Sequence, residues 1–184
     1  VENTWDIFSK NGEAIKQDFE LLTRGRTSQP LTSSNTVIGD AKAIFLEEGA
    51  VVEAAILNTK SGPIYIGKDA EIMEGSVVRG PFALCEHSAL KLSTKVYGPT
   101  TIGPHSKVGG EINNSVVFGF SNKAHDGFLG NSVIGEWCNL GADTNNSNLK
   151  NNYGNVKLYN YAQQKMVDTG LQFCGLTMGD HSKC

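Results

Sequence analysis

The sequence has no apolar run approaching the length of a membrane span and no secretory leader pattern at its start, so neither a helical membrane protein nor a secreted one is expected. It also lacks runs of like charge. Sixteen basic and 19 acidic side chains are interspersed, and the net charge is −3. Neither a nucleic-acid-binding face nor a surface for acidic lipids is therefore expected. Cysteine is scarce and unpatterned. Cys85, Cys138, Cys174 and Cys184 form no C-x-x-C pair and no spaced framework, which points to reduced thiols in a cytoplasmic protein. Hydrophobic residues reach only 39%, low for a globular domain, whereas 21 of 184 residues are glycine. That length suits one domain, or one domain with an appendage.

What the chain does have is a period. Stepping by six from Ile66 gives Ile72, Val78, Leu84, Leu90, Val96, Ile102 and Val108, all aliphatic. Four residues after each lie Ala70, Ser76, Phe82, Ser88, Thr94, Thr100, Ser106 and Ile112, and six of these eight are Ala, Ser or Thr. A helix repeats every 3.6 residues and an ordinary strand every 2, so neither accounts for a strict six. A hexapeptide solenoid does. Each hexad would supply one short strand and a corner, with the aliphatic pointing into a prism and the small residue fitting where the chain turns. Three hexads close one triangular coil, and coils stack at the strand spacing of about 4.8 Å. Ile66, Leu84 and Ile102 should then share one internal column, Val78 and Val96 a second, and Ile72, Leu90 and Val108 the third.

The register fades at both ends. Leu46 and Val52 precede it in a shifted phase; after it the phase slips and is read as restarting at Phe128, Ile134 and Leu140. A polar insertion from 145 to about 175 interrupts the coil before Met178 and Gly179. The hexad MGDHSK leaves Cys184 opening another, so the domain at 34–184 is expected to be truncated at its C-terminus. Residues 1–33 differ in character: Trp5, Phe8, Ile15, Phe19 and Leu22 are roughly helically spaced, and TSQPLTSSN follows as a linker. A helical connector is expected there.

Four histidines invite a chemical reading. His87, His105 and His181 each sit three residues after an inward aliphatic, at an outward corner, and extending the later phase backward puts His125 in the same slot. His87 and His105, one coil apart, should stack, but no third histidine has a spacing that would complete a zinc site on one chain, so no metal is expected. His125 differs in its neighbours. Lys123, Asp126, Asn131, Asn139 and Asn148 make a polar patch in a chain of aliphatics and glycines. A neutral imidazole there could take a proton from an amine, and nearby amides could steady an oxyanion. Asparagines also simply suit tight corners.

The stretch HDGFLGNSVIGEWCNLGADTNNSNLK, 125–150, resembles the acetyltransferase domain of GlmU-type enzymes, which are bifunctional sugar-1-phosphate nucleotidyltransferases and amino-sugar-1-phosphate N-acetyltransferases. GPFA at 80–83 matches an upstream stretch of that family, and the likeness spans about residues 35–184. It implies a left-handed parallel β-helix, a homotrimer, and acetyl-CoA and a sugar phosphate as substrates. On this resemblance His125 falls on the general base, Phe128 on a substrate-contacting tyrosine, Asn139 on a sugar-contacting asparagine and Ala142 where acetyl-CoA contacts begin. Asn148 falls on the asparagine that helps hold the thioester acetyl group. Lys157, in the long insertion, corresponds to a phosphate-side lysine of archaeal-type relatives. Three positions depart from the family: Leu84 and Asn113 replace phosphate-binding cations, and Asp143 replaces a glycine. Arg79, Lys123 or Lys157 could substitute for the missing cations. Mg belongs, on this resemblance, only to the nucleotidyltransferase half, whose glycine-rich loop does not appear in these residues.

Three functions follow as expectations. The first is acetyl-CoA-dependent N-acetyl transfer to an amino-sugar 1-phosphate. The second is a non-catalytic hexapeptide domain that trimerises or regulates a sugar-phosphate nucleotidyltransferase such as a glucose-1-phosphate thymidylyltransferase. The third is a sugar O-acyltransferase.

Overall fold

A computed structural model describes residues 1–184. One helix, α1 (Thr4–Thr23), precedes a parallel β-solenoid of about six turns. It is the left-handed parallel β-helix that the resemblance implied. Its strands stack on three faces. The first face begins with Thr36–Ile38 and rises through Val77–Arg79 to Phe128–Gly130; the second begins with Ile44–Leu46 and ends with Thr177–Met178. The third runs from Val51–Val52 to Asn122–Lys123.

The internal columns are those the period requires. Ile66 pairs with Leu84 and Leu84 with Ile102; Val78 pairs with Val96; Ile72 pairs with Leu90 and Leu90 with Val108. All of these side chains are buried. The small residues are buried at the corners as expected: Ala70, Ser76, Ser88, Thr94, Thr100 and Ser106. The serine and threonine hydroxyls replace water for backbone groups that the turn leaves unpaired. The Ser88 hydroxyl accepts from the Ser106 N–H at 3.0 Å, Ser106 from Ser121 at 3.2 Å, and Ser121 from Cys138 at 2.9 Å.

Beyond Val108 the coil contracts. Ile102 pairs with Val117, 15 residues on rather than 18, and Val117 pairs with Ile134 after 17. The inward residue of the first face is therefore Ile112, which the strict period had placed at a corner, and then Leu129, which is 1% exposed. Phe128 is a half-buried outward residue, so the restart lies one position later than its spacing suggested. The polar insertion is not all loop. It contains an antiparallel hairpin, Lys157–Asn160 with Lys165–Asp168.

Helix α1 lies along the second face. Phe8 joins Val116, Val133 and Cys174 in a small core that the insertion completes through Val156, Leu158 and Leu171. Residues 27–35 do more than link: Gln29 donates its N–H to Leu46, and Asn35 donates to the Val52 carbonyl, closing the first coil's open edge. No helix is long and apolar enough to cross a membrane.

One polar group under α1 is left over. Asn11 accepts from the Thr101 hydroxyl at 2.8 Å, but its buried side-chain N–H₂ has no partner. An orphaned buried donor costs about 1–3 kcal/mol, whereas removing both members of a polar pair is near neutral. The double substitution Asn11→Leu with Thr101→Val is therefore expected to raise stability by about 1 kcal/mol. A lower midpoint in thermal unfolding would contradict this.

Candidate functional site

The corner between the third and first faces carries the residues that the sequence singled out. In a triangular prism this corner lies opposite the second face, the one that α1 covers. The chain leaves the third face at Lys123, turns through Ala124–Gly127 and enters the first face at Phe128. His125 and Asp126 are exposed on this turn. The turn rests on Gly109 and Gly110 of the coil beneath: a Cβ on Gly109 would collide with the Ala124 carbonyl, and one on Gly110 would stand 3.1 Å from the Asp126 Cα. Those glycines let the His125 turn close down on its neighbour.

His125 does not share the slot of the other histidines. That slot has backbone φ of 55–58° at His87, His105 and His181, and His125 is not among the residues with positive φ. The contracted coil moved it. In its place the slot is filled by Phe120 and Trp137, three residues after Val117 and Ile134. The result is a ladder of parallel rings. His87 stacks on His105 at 4.8 Å, His105 on Phe120 at 5.0 Å and Phe120 on Trp137 at 4.5 Å. The ladder follows from the slot rule already visible at His87 and His105; the slipped phase hid its two larger members.

Around the His125 corner the structure gathers several candidates. Ala142 is exposed on the equivalent turn of the coil above, where Asp143 and Thr144 pack over Gly127. On the first-face side, the Phe128 ring and the Asn148 side-chain nitrogen both lie against the bare α-carbon of Gly130. Asn148 is 9% exposed and donates to Asn131 Oδ1 at 2.7 Å, which uses one of its two N–H groups. The Phe128 N–H is held by Asn145 Oδ1 at 2.7 Å. Asn139 stands round the corner on the third-face side, where it accepts from Asn122 Nδ2 at 2.9 Å.

Two candidates are placed elsewhere. Arg79 lies on the first face three strands below Phe128–Gly130, about 14 Å away at the usual strand spacing. Lys157 opens the hairpin, beside Val156 and Leu158 that pack under α1, so it sits at the second face and not at this corner. Of the residues standing where the family has cations, Leu84 points inward and is fully buried, and Asn113 ends the first-face strand below Gly130.

Lys123 is nearest to His125 but does not face outward. It pairs with Val108 in the third column, and the residue as a whole is 3% exposed. Its ammonium donates to the His125 carbonyl at 2.7 Å. Burial pushes its pKa below the ordinary lysine value, while Asp126 and Asp143 pull it back up.

Two comparisons bear on this arrangement. A search of curated proteins finds no match to the chain. A family model described as a sugar nucleotidyl transferase matches residues 1–27, which comprise α1 and the start of the segment that follows it.

Proposed function

We propose that this chain is the acetyl-transfer part of a sugar nucleotidyltransferase and moves an acetyl group from acetyl-CoA to the amine of an amino-sugar 1-phosphate. One observation carries the reading: an exposed imidazole, His125, on a tightly seated corner with Phe128 and Asn148 on the adjoining face. The match of α1 to a sugar nucleotidyl transferase family supports the coarser half of it. In this reaction the amine attacks the thioester carbonyl and His125 accepts its proton; the tetrahedral intermediate then collapses, the C–S bond breaks, and coenzyme A leaves as the thiol with that proton. Asn148, fixed by Asn131, offers its free N–H to the oxygen on which charge develops. Phe128 supplies an apolar wall for the sugar ring.

A homotrimer belongs to this reading. The corner is open to water on one chain, and a site that excludes water needs a second surface. Because α1 occupies the second face, the first and third faces are those free to meet a partner. The non-catalytic alternative draws on Leu84, whose side chain is sealed in the core and cannot meet a phosphate. One experiment separates the two: thiol release from acetyl-CoA with a panel of sugar phosphates, alongside light scattering. A trimer that turns over an amino-sugar phosphate is expected. A trimer that releases no thiol with any acceptor would favour the alternative, and a monomer would oppose both.

A further inference from the structure

The third column reads Val52, Ile72, Leu90, Val108, Lys123, with Leu140 following in register. Lysine is the one charged residue in an otherwise apolar line. An aliphatic would pack there without the several kcal/mol that burying an ammonium costs before its partners are counted. Packing alone therefore gives no reason for Lys123. Its contacts do. The side chain starts inward and reaches up to the turn, where the ammonium donates to the carbonyl of His125 itself. Asp126, in the same turn, and Asp143, on the turn above, are the acidic groups whose charge it feels.

We infer that Lys123 is a positioning residue: its ammonium ties the third-to-first corner down from inside the prism and so fixes the direction in which the His125 imidazole points. This replaces the phosphate-binding role considered for it as a substitute for the missing cations, since a residue 3% exposed with its ammonium turned to the His125 carbonyl is poorly placed to meet a ligand on the surface. The geometry explains why a tie is needed. The turn from Lys123 to Leu129 spans six residues, while the one beneath it, from Val108 to Ile112, spans four. The upper turn thus overhangs a narrower one: the Gly109–Gly110 backbone lies beneath it, and the Glu111 N–H holds its far end through the Gly127 carbonyl at 3.1 Å. Between Ala124 and Asp126 the backbone accepts one hydrogen bond, the one from Lys123, and this part of the turn loses its orientation when that carbonyl is released. The inference rests on His125 being the base only where it predicts rates; the anchoring itself does not.

The test is Lys123→Met in the full chain, which keeps the stem and removes the donor. Amide hydrogen exchange at Glu111 and Phe128, whose N–H groups bond to the Gly127 carbonyl and to Asn145 at the end of the turn, should quicken at least tenfold while the rest of the solenoid is unchanged. In acetyl transfer, kcat should fall roughly 10–100-fold, as expected when a reacting group is misplaced by about 1 Å, with KM nearly constant. The melting midpoint should hold or rise, because a buried charge has gone. Unchanged exchange at Glu111 and Phe128, or faster exchange everywhere, overturns the anchor. If Lys123→Met does not fold, Lys123→Gln keeps an uncharged, shorter donor and should show the same local quickening to a lesser degree; no change there would also overturn it. Should His125→Ala leave acetyl transfer intact, the functional reading fails, and the exchange measurement still decides the role of Lys123.

Discussion

His125→Ala should lower acetyl transfer roughly 10²–10⁴-fold, the usual worth of a positioned general base. The fold should barely notice, because the side chain is exposed and buries little apolar surface. Asn148→Ala removes the amide set against Gly130 and should cost a comparable 10²–10³-fold, chiefly in kcat, if its free N–H meets the oxyanion. The control must be chosen with the ring ladder in view. His105 is stacked on both sides, by His87 and Phe120, so truncating it disturbs packing and would confound the comparison. His181 is exposed at the same corner slot and stacks on no ring, which makes His181→Ala the better control. Equal rates for the His125 and His181 variants would remove the case for catalysis at this corner.

The periodic part of the fold could be read directly. From Ile66 to Val108 each coil spends 18 residues, every hexad has an aliphatic where the prism needs one, and the columns formed as written. Legibility ended where the coil contracted. Steps of four and five residues, Val108 to Ile112 and Ile112 to Val117, change the phase without changing the composition, and nothing local distinguishes a short corner from a lost one. That slip accounts for three differences at once: Leu129 and not Phe128 turns inward, His125 leaves the histidine slot, and Phe120 and Trp137 enter it. Lys123 was illegible for another reason. A pattern that finds the core by its aliphatics cannot see a core position held by lysine.

The candidate site was named by resemblance and assembled by geometry. His125, Phe128, Ala142 and Asn148 are up to 23 positions apart in sequence, yet they fall on adjoining turns because a coil returns the chain to the same corner every 15 to 18 residues. Arg79 and Lys157 failed to join them for the same reason. Arg79 belongs to a coil three strands lower, and Lys157 to a hairpin that leaves the coil altogether.

Gly103→Ala should be the most damaging single methyl in the solenoid, lowering stability by at least about 3 kcal/mol, the upper end of the ordinary cost of overpacking. The Phe118 carbonyl of the next coil occupies the place that a Gly103 Cβ would take, and it is backbone, so no side-chain rotation can make room. The same coil binds there: the Gly103 N–H donates to the Val117 carbonyl at 2.7 Å. Pushing Phe118 away breaks that bond and tilts the strand that carries the contraction, with Phe120 of the ring ladder two residues further on. Cys85 and Phe118 carry side chains after inward residues in the same way, so what sets 103 apart is the depth of the clash: the Phe118 carbonyl would fall almost on its Cβ, whereas the nearest backbone atom at Gly67 would stand 2.7 Å away. Gly119 tests this distinction. It lies on the same contracted coil, one residue beyond Phe118, but a Cβ there would come no nearer than 3.3 Å to the Pro104 carbonyl. Gly119→Ala should therefore melt close to the parent, while Gly103→Ala should melt roughly 6–12 °C lower for a chain of this size. Matching midpoints for the two variants would mean that the coils are not held as closely at Phe118 as the register from Ile102 to Val117 requires.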